Sequence, residues 1–139
     1  MTGACVAHRV ALDYTETITK LALLDIMPTR TAFATVNKEM ATAAFNWFFS
    51  IQPDGLPERL IGAEPAFYLR WILDHWCGTK GALAVEAVAG YQRCFDATAS
   101  RATREEFRAA ATIDLIHDEA DKKQKIIYPT LLLWSASSM

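Results

Sequence analysis

The sequence predicts an α/β arrangement in which two parallel strands bracket a long helical excursion. Two of the observations behind this are the segments Lys20–Ile26 (KLALLDI) and Ile126–Trp134 (IIYPTLLLW). Each is a short run apolar on both faces, the pattern of a strand buried in a parallel sheet. The third is that Thr31–Lys122, between them, reads as helix almost throughout. At 139 residues and 52% apolar composition the chain is long enough for one domain with a sizeable core. Two strands alone make an unstable sheet with both edges open, so this reading expects further strands beside them.

The N-terminal stretch ACVAHRVALDY, residues 4–14, is a plausible helix with Val6, Val10 and Leu12 apolar. The first strand follows and ends at Met27-Pro28-Thr29. Asp25 stands at its C-terminal end, where open α/β sheets place their ligands. It reads equally as a turn acid capping the segment after Pro28. Asn37 then caps a helix in which Met40, Ala44, Trp47, Phe48 and Ile51 share a face by their three-and-four spacing. Pro53-Asp54-Gly55 stops that helix and turns the chain, since proline fixes φ and glycine accepts positive φ. The pair Asn46-Trp47 puts two hydrogen-bond donors in the middle of this apolar helix. On spacing alone Trp47 is core and Asn46 an incidental polar neighbour.

Glu64-Pro65 opens a helix through Phe67, Leu69, Trp71, Ile72 and Trp76 that Gly78 can end, and another covers roughly Leu83–Phe95. Thr103 followed by Glu106 is a capping box, predicting a helix that runs from there through Phe107, Ala111, Ile113 and Leu115. His117 and Asp121 lie one turn apart, a spacing that can hold a metal. The adjacent Asp118, Glu119 and lysines favour a hydrated helix end instead. Pro129 restricts the last strand to Thr130–Trp134.

A formal net charge of −2 argues against a nucleic-acid partner. Lys122, Lys123 and Lys125 are the one basic run and complement a helix end. No apolar run approaches the roughly 20 residues of a membrane span, and MTGACVAHRV lacks the pattern of a secretion signal. Cys5, Cys77 and Cys94 are odd in number and scattered, which fits reduced thiols in the cytoplasm.

The segments VAHRVALDY, KLALLDIMPT, NWFFSIQPDGLPERLIGAEPAFYLR, YQRCF, FRAAATIDLIHDEAD and PTLLLW, taken in order, resemble the haloacetate (fluoroacetate) dehalogenases, a branch of the α/β-hydrolase superfamily. The resemblance runs from Gly3 to about Trp134. It implies a fragment of the α/β-hydrolase fold: partial core at residues 1–29, helical cap at 30–122 and a core strand at 123–139. It also implies the chemistry. A carboxylate attacks the carbon bearing the halogen to give an ester and free halide. A histidine held by a second acid then activates water to cleave the ester. Cap side chains donate to the leaving halide, and two arginines hold the substrate carboxylate.

Carried over by position, the resemblance puts Met1 where the aspartate nucleophile stands and Gly3 at the second glycine of the elbow. Thr2 and Cys5 take the places of the two arginines. Asp25 matches the histidine-orienting acid. The chain ends after Trp134, before the expected histidine, and His8, His75 and His117 fall at other positions. The halide donors, usually His, Trp and Tyr, appear as Asn46, Trp47 and Phe107. Asn46 and Trp47 can still donate and Phe107 cannot. Phe45 and Trp76 match pocket-lining residues, although an aromatic there also serves as core.

The resemblance therefore implies a hydrolase for a small haloacid, with no cofactor or metal, present here without nucleophile or base and inactive alone. A homodimer is compatible with it, and the uncovered apolar strand Lys20–Ile26 predicts poor solubility. Two alternatives stay open. One is a non-catalytic cap that binds a ligand or partner. The other is an epoxide or haloalkane hydrolase-like fragment, favoured by loss of both arginines.

Overall fold

A computed structural model describes residues 2–79 and 81–136. Their elements run α1 (Thr2–Asp13), β1 (Leu21–Leu24), α2 (Thr29–Ala34), α3 (Lys38–Ala43), α4 (Phe45–Ser50), α5 (Leu56–Ala63), α6 (Pro65–Trp76), α7 (Val85–Cys94), α8 (Ala97–Ala110), α9 (Ile113–Ala120) and β2 (Thr130–Leu133). The two strands lie parallel with Leu21 opposite Thr130 and Leu24 opposite Leu133. This is the strand–helices–strand order that the apolar runs predict. The chain divides into two compact units, one formed by the residues up to Phe45 together with those from Ala109 onward, the other by Asn46–Arg108.

In the first unit α1 packs on β1 and α2 on α9. The strands were expected to be buried, but only Leu21 is; Leu131, Leu132 and Leu133 remain half or more exposed. A parallel strand is buried when helices cover both faces of its sheet, and among the described residues β2 packs mainly against β1. Ion pairs join the helices. Arg9 on α1 binds Asp13 at 2.5 Å and Asp121, just past α9, at 2.6 Å. Arg30 on α2 binds Glu119 at 2.7 Å, and Glu119 also pairs with Lys122. The Arg9 guanidinium holds the Asp13 carboxyl below its ordinary range, and Lys122 with Arg30 does the same for Glu119. Asp121 is therefore engaged by an arginine rather than paired with His117. Among the described residues no cluster of His, Cys, Asp or Glu is arranged to hold a metal.

Asn37 caps α3 as predicted, its side-chain oxygen accepting from the Met40 N–H at 2.8 Å. The helix expected to continue to Ile51 instead breaks at Ala44, whose ψ of 31° leaves the helical well. Alanine has the highest helix propensity, so the residue itself does not favour a break, and Ala44 is 5% exposed. Its consequence is a change of face. In α4 the buried residues are the polar Asn46 and Ser50, one turn apart, while Trp47 and Phe48 are half-buried.

Within the second unit α6 packs against α5 and α7. Asp54 and Gly55 both adopt left-handed φ, 60° and 69°, which an aspartate tolerates and a glycine favours, and this turns the chain into α5. Arg108 fastens that turn to the end of α8. It binds Glu58 at 2.8 Å and donates to the Gln52 carbonyl at 3.1 Å.

The capping box predicted at Thr103 does not form. The helix begins earlier, where the Asp96 carboxylate accepts from the Ala99 N–H at 2.8 Å, and Thr103 donates back to the Ala99 carbonyl from inside α8. The helix also ends sooner than predicted, at Ala110, and α9 starts afresh at Ile113.

Candidate functional site

In the first unit the candidate residue is Asp25. It follows β1 directly, with a left-handed φ of 53° that a short polar side chain tolerates. Its N–H donates to the Leu133 carbonyl at 2.8 Å, and its Oδ1 accepts from the Ser135 N–H at 3.0 Å. The carboxylate therefore bridges the C-terminal ends of the two parallel strands and remains exposed there. It does not cap the segment after Pro28, because α2 begins without a side-chain cap. A carboxylate fixed at this edge can orient an imidazole or accept a proton-bearing group from solvent.

Cys5, which matches one of the arginine positions, lies on α1 with its thiol 3.5 Å from the Thr29 hydroxyl. It offers no cation. Met1 and the side chain of Thr2 lie outside the described residues. Phe45 is half-buried at the start of α4.

The second unit carries Asn46, Trp47, Trp76 and Phe107. Asn46 is 3% exposed and its Oδ1 has no hydrogen-bond partner. The Trp47 indole Nε1 is likewise buried and unpartnered. Leaving a buried donor or acceptor unmet costs about 1–3 kcal/mol, so two adjacent cases mark this turn of α4 as more than packing. Trp76 is exposed at the C-terminal end of α6, and Phe107 is buried on α8.

One buried charged residue in this unit is absent from the sequence reading. Arg104 is 3% exposed, and its guanidinium carbon lies over the Tyr68 ring at 5.7 Å and the Phe107 ring at 6.0 Å. Nε and Nη1 have no partner. Burial draws the Arg104 pKa down and pushes the Tyr68 phenol up, while the Arg104 charge opposes the latter shift. Tyr68 also contacts Phe49 and Phe95, each with ring centroids 6.4 Å apart. The signal was present: Ser100, Arg104, Phe107 and Ala110 recur at helical spacing and are all buried. It is invisible if the helix is started at Thr103, because only the full α8 shows Arg104 on a core-facing stripe.

No protein-family model matches the chain. A curated relative, the fluoroacetate dehalogenase of Burkholderia sp, is 32% identical over 140 residues, covering 99% of this chain and 46% of that protein. Among solved structures, a candidate α/β hydrolase from Nostoc sp PCC 7120 is 53% identical with a TM-score of 0.94, covering 99% of this chain and 47% of its own. A candidate epoxide hydrolase from Pseudomonas aeruginosa is 33% identical with a TM-score of 0.91, over 99% and 49% respectively. The chain thus spans about half the length of the relatives it matches.

Proposed function

We propose, given that this chain carries about half of an α/β-hydrolase fold and is homologous to a fluoroacetate dehalogenase, that it supplies the leaving-group side of a hydrolase that cleaves the carbon–halogen bond of a small haloacid. The observation that carries this reading is the buried, unpartnered Nε1 of Trp47 beside the buried Asn46. As a carbon–halogen bond breaks, negative charge gathers on the halogen. Preformed donors in a site shielded from water stabilise that charge without reorganising. Trp47 Nε1 is such a donor; the unmet atom of Asn46 is the acceptor Oδ1, and its amide N–H would be the second donor. Phe107 has no polar hydrogen, so the third donor of the family is missing, a loss of about 2.7–4 kcal/mol of transition-state stabilisation.

Asp25 takes the role of the acid that holds the water-activating histidine in one tautomer. Its place at the ends of β1 and β2 and its fixed backbone support this. Met1 has no carboxylate with which to form the aspartyl ester, and His8, His75 and His117 do not align with the base. Trp47 and Asn46 are expected to bind halide, while turnover needs a carboxylate nucleophile and an imidazole base. The free thiols of Cys5, Cys77 and Cys94 fit a reducing, cytoplasmic setting.

The test is a bromide titration of intrinsic tryptophan fluorescence at constant ionic strength, on the wild type and on Trp47→Phe. A saturable change lost in the variant supports the reading; equal, linear quenching of both refutes it. An epoxide or haloalkane substrate is the second reading. The thiol of Cys5, where a carboxylate clamp would need an arginine, favours it, as does likeness to the candidate epoxide hydrolase.

A further inference from the structure

We propose that the free edge of β1 is a docking site for another polypeptide, the half of an α/β hydrolase that this chain does not match, which adds a parallel strand there and lays a helix over the adjoining sheet face. The ladder defines the edge. The N–H groups of Leu21 and Asp25 donate to the carbonyls of Pro129 and Leu133. Alternate residues of a strand in a parallel ladder point their N–H and C=O groups to opposite sides. Those of Ala22 and Leu24 therefore face away from β2. Among the described residues the sheet consists of β1 and β2, and no strand meets that edge.

The edge carries none of the features that keep a strand from pairing. Lysine, proline or a bulge blunts the exposed strands of free-standing sheets. β1 reads Leu-Ala-Leu-Leu, in unbroken register with β2. The face beside the edge is apolar and uncovered. Ala22 lies opposite Leu131 and Leu24 opposite Leu133, so these four side chains share one face. Leu24 is 62% exposed, Leu131 54% and Leu133 49%. Leu21 and Leu23, on the other face, are buried and half-buried. A parallel sheet is stable with helices over both faces, so the edge calls for a strand and the Leu24 face for a helix.

A strand–helix segment of the same fold supplies both. α1 leads into β1 and packs on it, as the crossover helix of a strand–helix–strand unit does, and the strand that completes such a unit runs parallel to β1. The solved Nostoc hydrolase, whose backbone this chain matches closely, is about twice as long. This inference rests on the sheet and does not depend on halide binding at Trp47.

The experiment is sedimentation velocity on the full chain, alone and mixed with the segment of the Nostoc hydrolase that precedes the region this chain matches, for wild type, Ala22→Pro, Leu24→Lys and Leu132→Lys. The wild type should form a saturable one-to-one complex. Ala22→Pro removes an N–H from the free edge and leaves the bonds to β2 in place; Leu24→Lys puts a charge on the face to be covered. Each should weaken binding roughly tenfold or more. Leu132→Lys, on the opposite face, should leave affinity within about twofold. Should Ala22→Pro fail to fold by circular dichroism, Leu24→Lys carries the decision, because an exposed side chain tolerates lysine in the free chain. No complex with the wild type overturns the inference, as does binding that Ala22→Pro and Leu24→Lys leave unchanged. Self-association of the wild type that Leu24→Lys abolishes, with no complex formed, assigns the edge to a second copy and overturns it too. A missing bromide response with the complex intact sinks the halide reading alone.

Discussion

Replacing Arg104 by methionine should stabilise the protein. Methionine keeps the length and most of the volume of the arginine stem, so packing along α8 changes little. What is removed is a charge that is 3% exposed and has two unmet nitrogens. Desolvating an ion without a partner costs several kcal/mol even after relaxation. Against this stand the contacts with Tyr68 and Phe107, at 5.7 and 6.0 Å. Both distances are near the outer limit for a cation over a ring, so they offset about 0.5–1 kcal/mol each. The balance is a gain of roughly 1–3 kcal/mol. Burial lowers the Arg104 pKa, so the penalty falls on the charged form and is present at neutral pH. Urea unfolding followed by circular dichroism in an acetate-free buffer measures the difference, and an unchanged m-value would show that the same surface unfolds. A loss of more than about 1 kcal/mol at unchanged m would refute the reasoning, because the ring contacts would then outweigh the desolvation.

Further outcomes follow from other parts of the molecule. Asn37→Ala should lose about 1 kcal/mol in the same urea assay, since its oxygen satisfies the Met40 N–H. Asp96→Ala should cost about 1 kcal/mol, and Thr103→Ala within about 0.5 kcal/mol, because Asp96 rather than Thr103 begins α8. The reverse order would restore the capping box. Asp13 and Glu119 have folded pKa values lowered from 3.8 and 4.5. Their stabilisation is therefore present above those ordinary values and lost as pH falls through the lowered ones. The urea midpoint should drop across that acidic window, and Glu119→Gln should flatten the drop; a midpoint independent of pH there would contradict the ion pairs.

Much of the fold was legible because its signals are local. The apolar runs gave both strands, Asn37 and Pro53-Asp54-Gly55 gave a start and a stop, and Glu64-Pro65 gave α6. Their parallel pairing follows from the long helical excursion between them. What misled was local too. Thr103 and Glu106 have the spacing of a capping box, yet a threonine inside a helix can bond back to the carbonyl four residues earlier, and Thr103 does. The break at Ala44 has no local cause, so no pattern in the sequence could show that α4 would turn Asn46 and Ser50 inward.

That inward turn bears on what the second unit is for. Asn46, Ser50, Ser100 and Arg104 are buried there alongside Ile61, Val88 and Phe107. A set of helices selected only for stability would fill those places with leucine, because each unmet polar atom costs about 1–3 kcal/mol. Here the unmet atoms belong to a tryptophan, an asparagine, two serines, a glutamate and an arginine, donors and acceptors together. Buried polar atoms without partners are poor core and available for recognition.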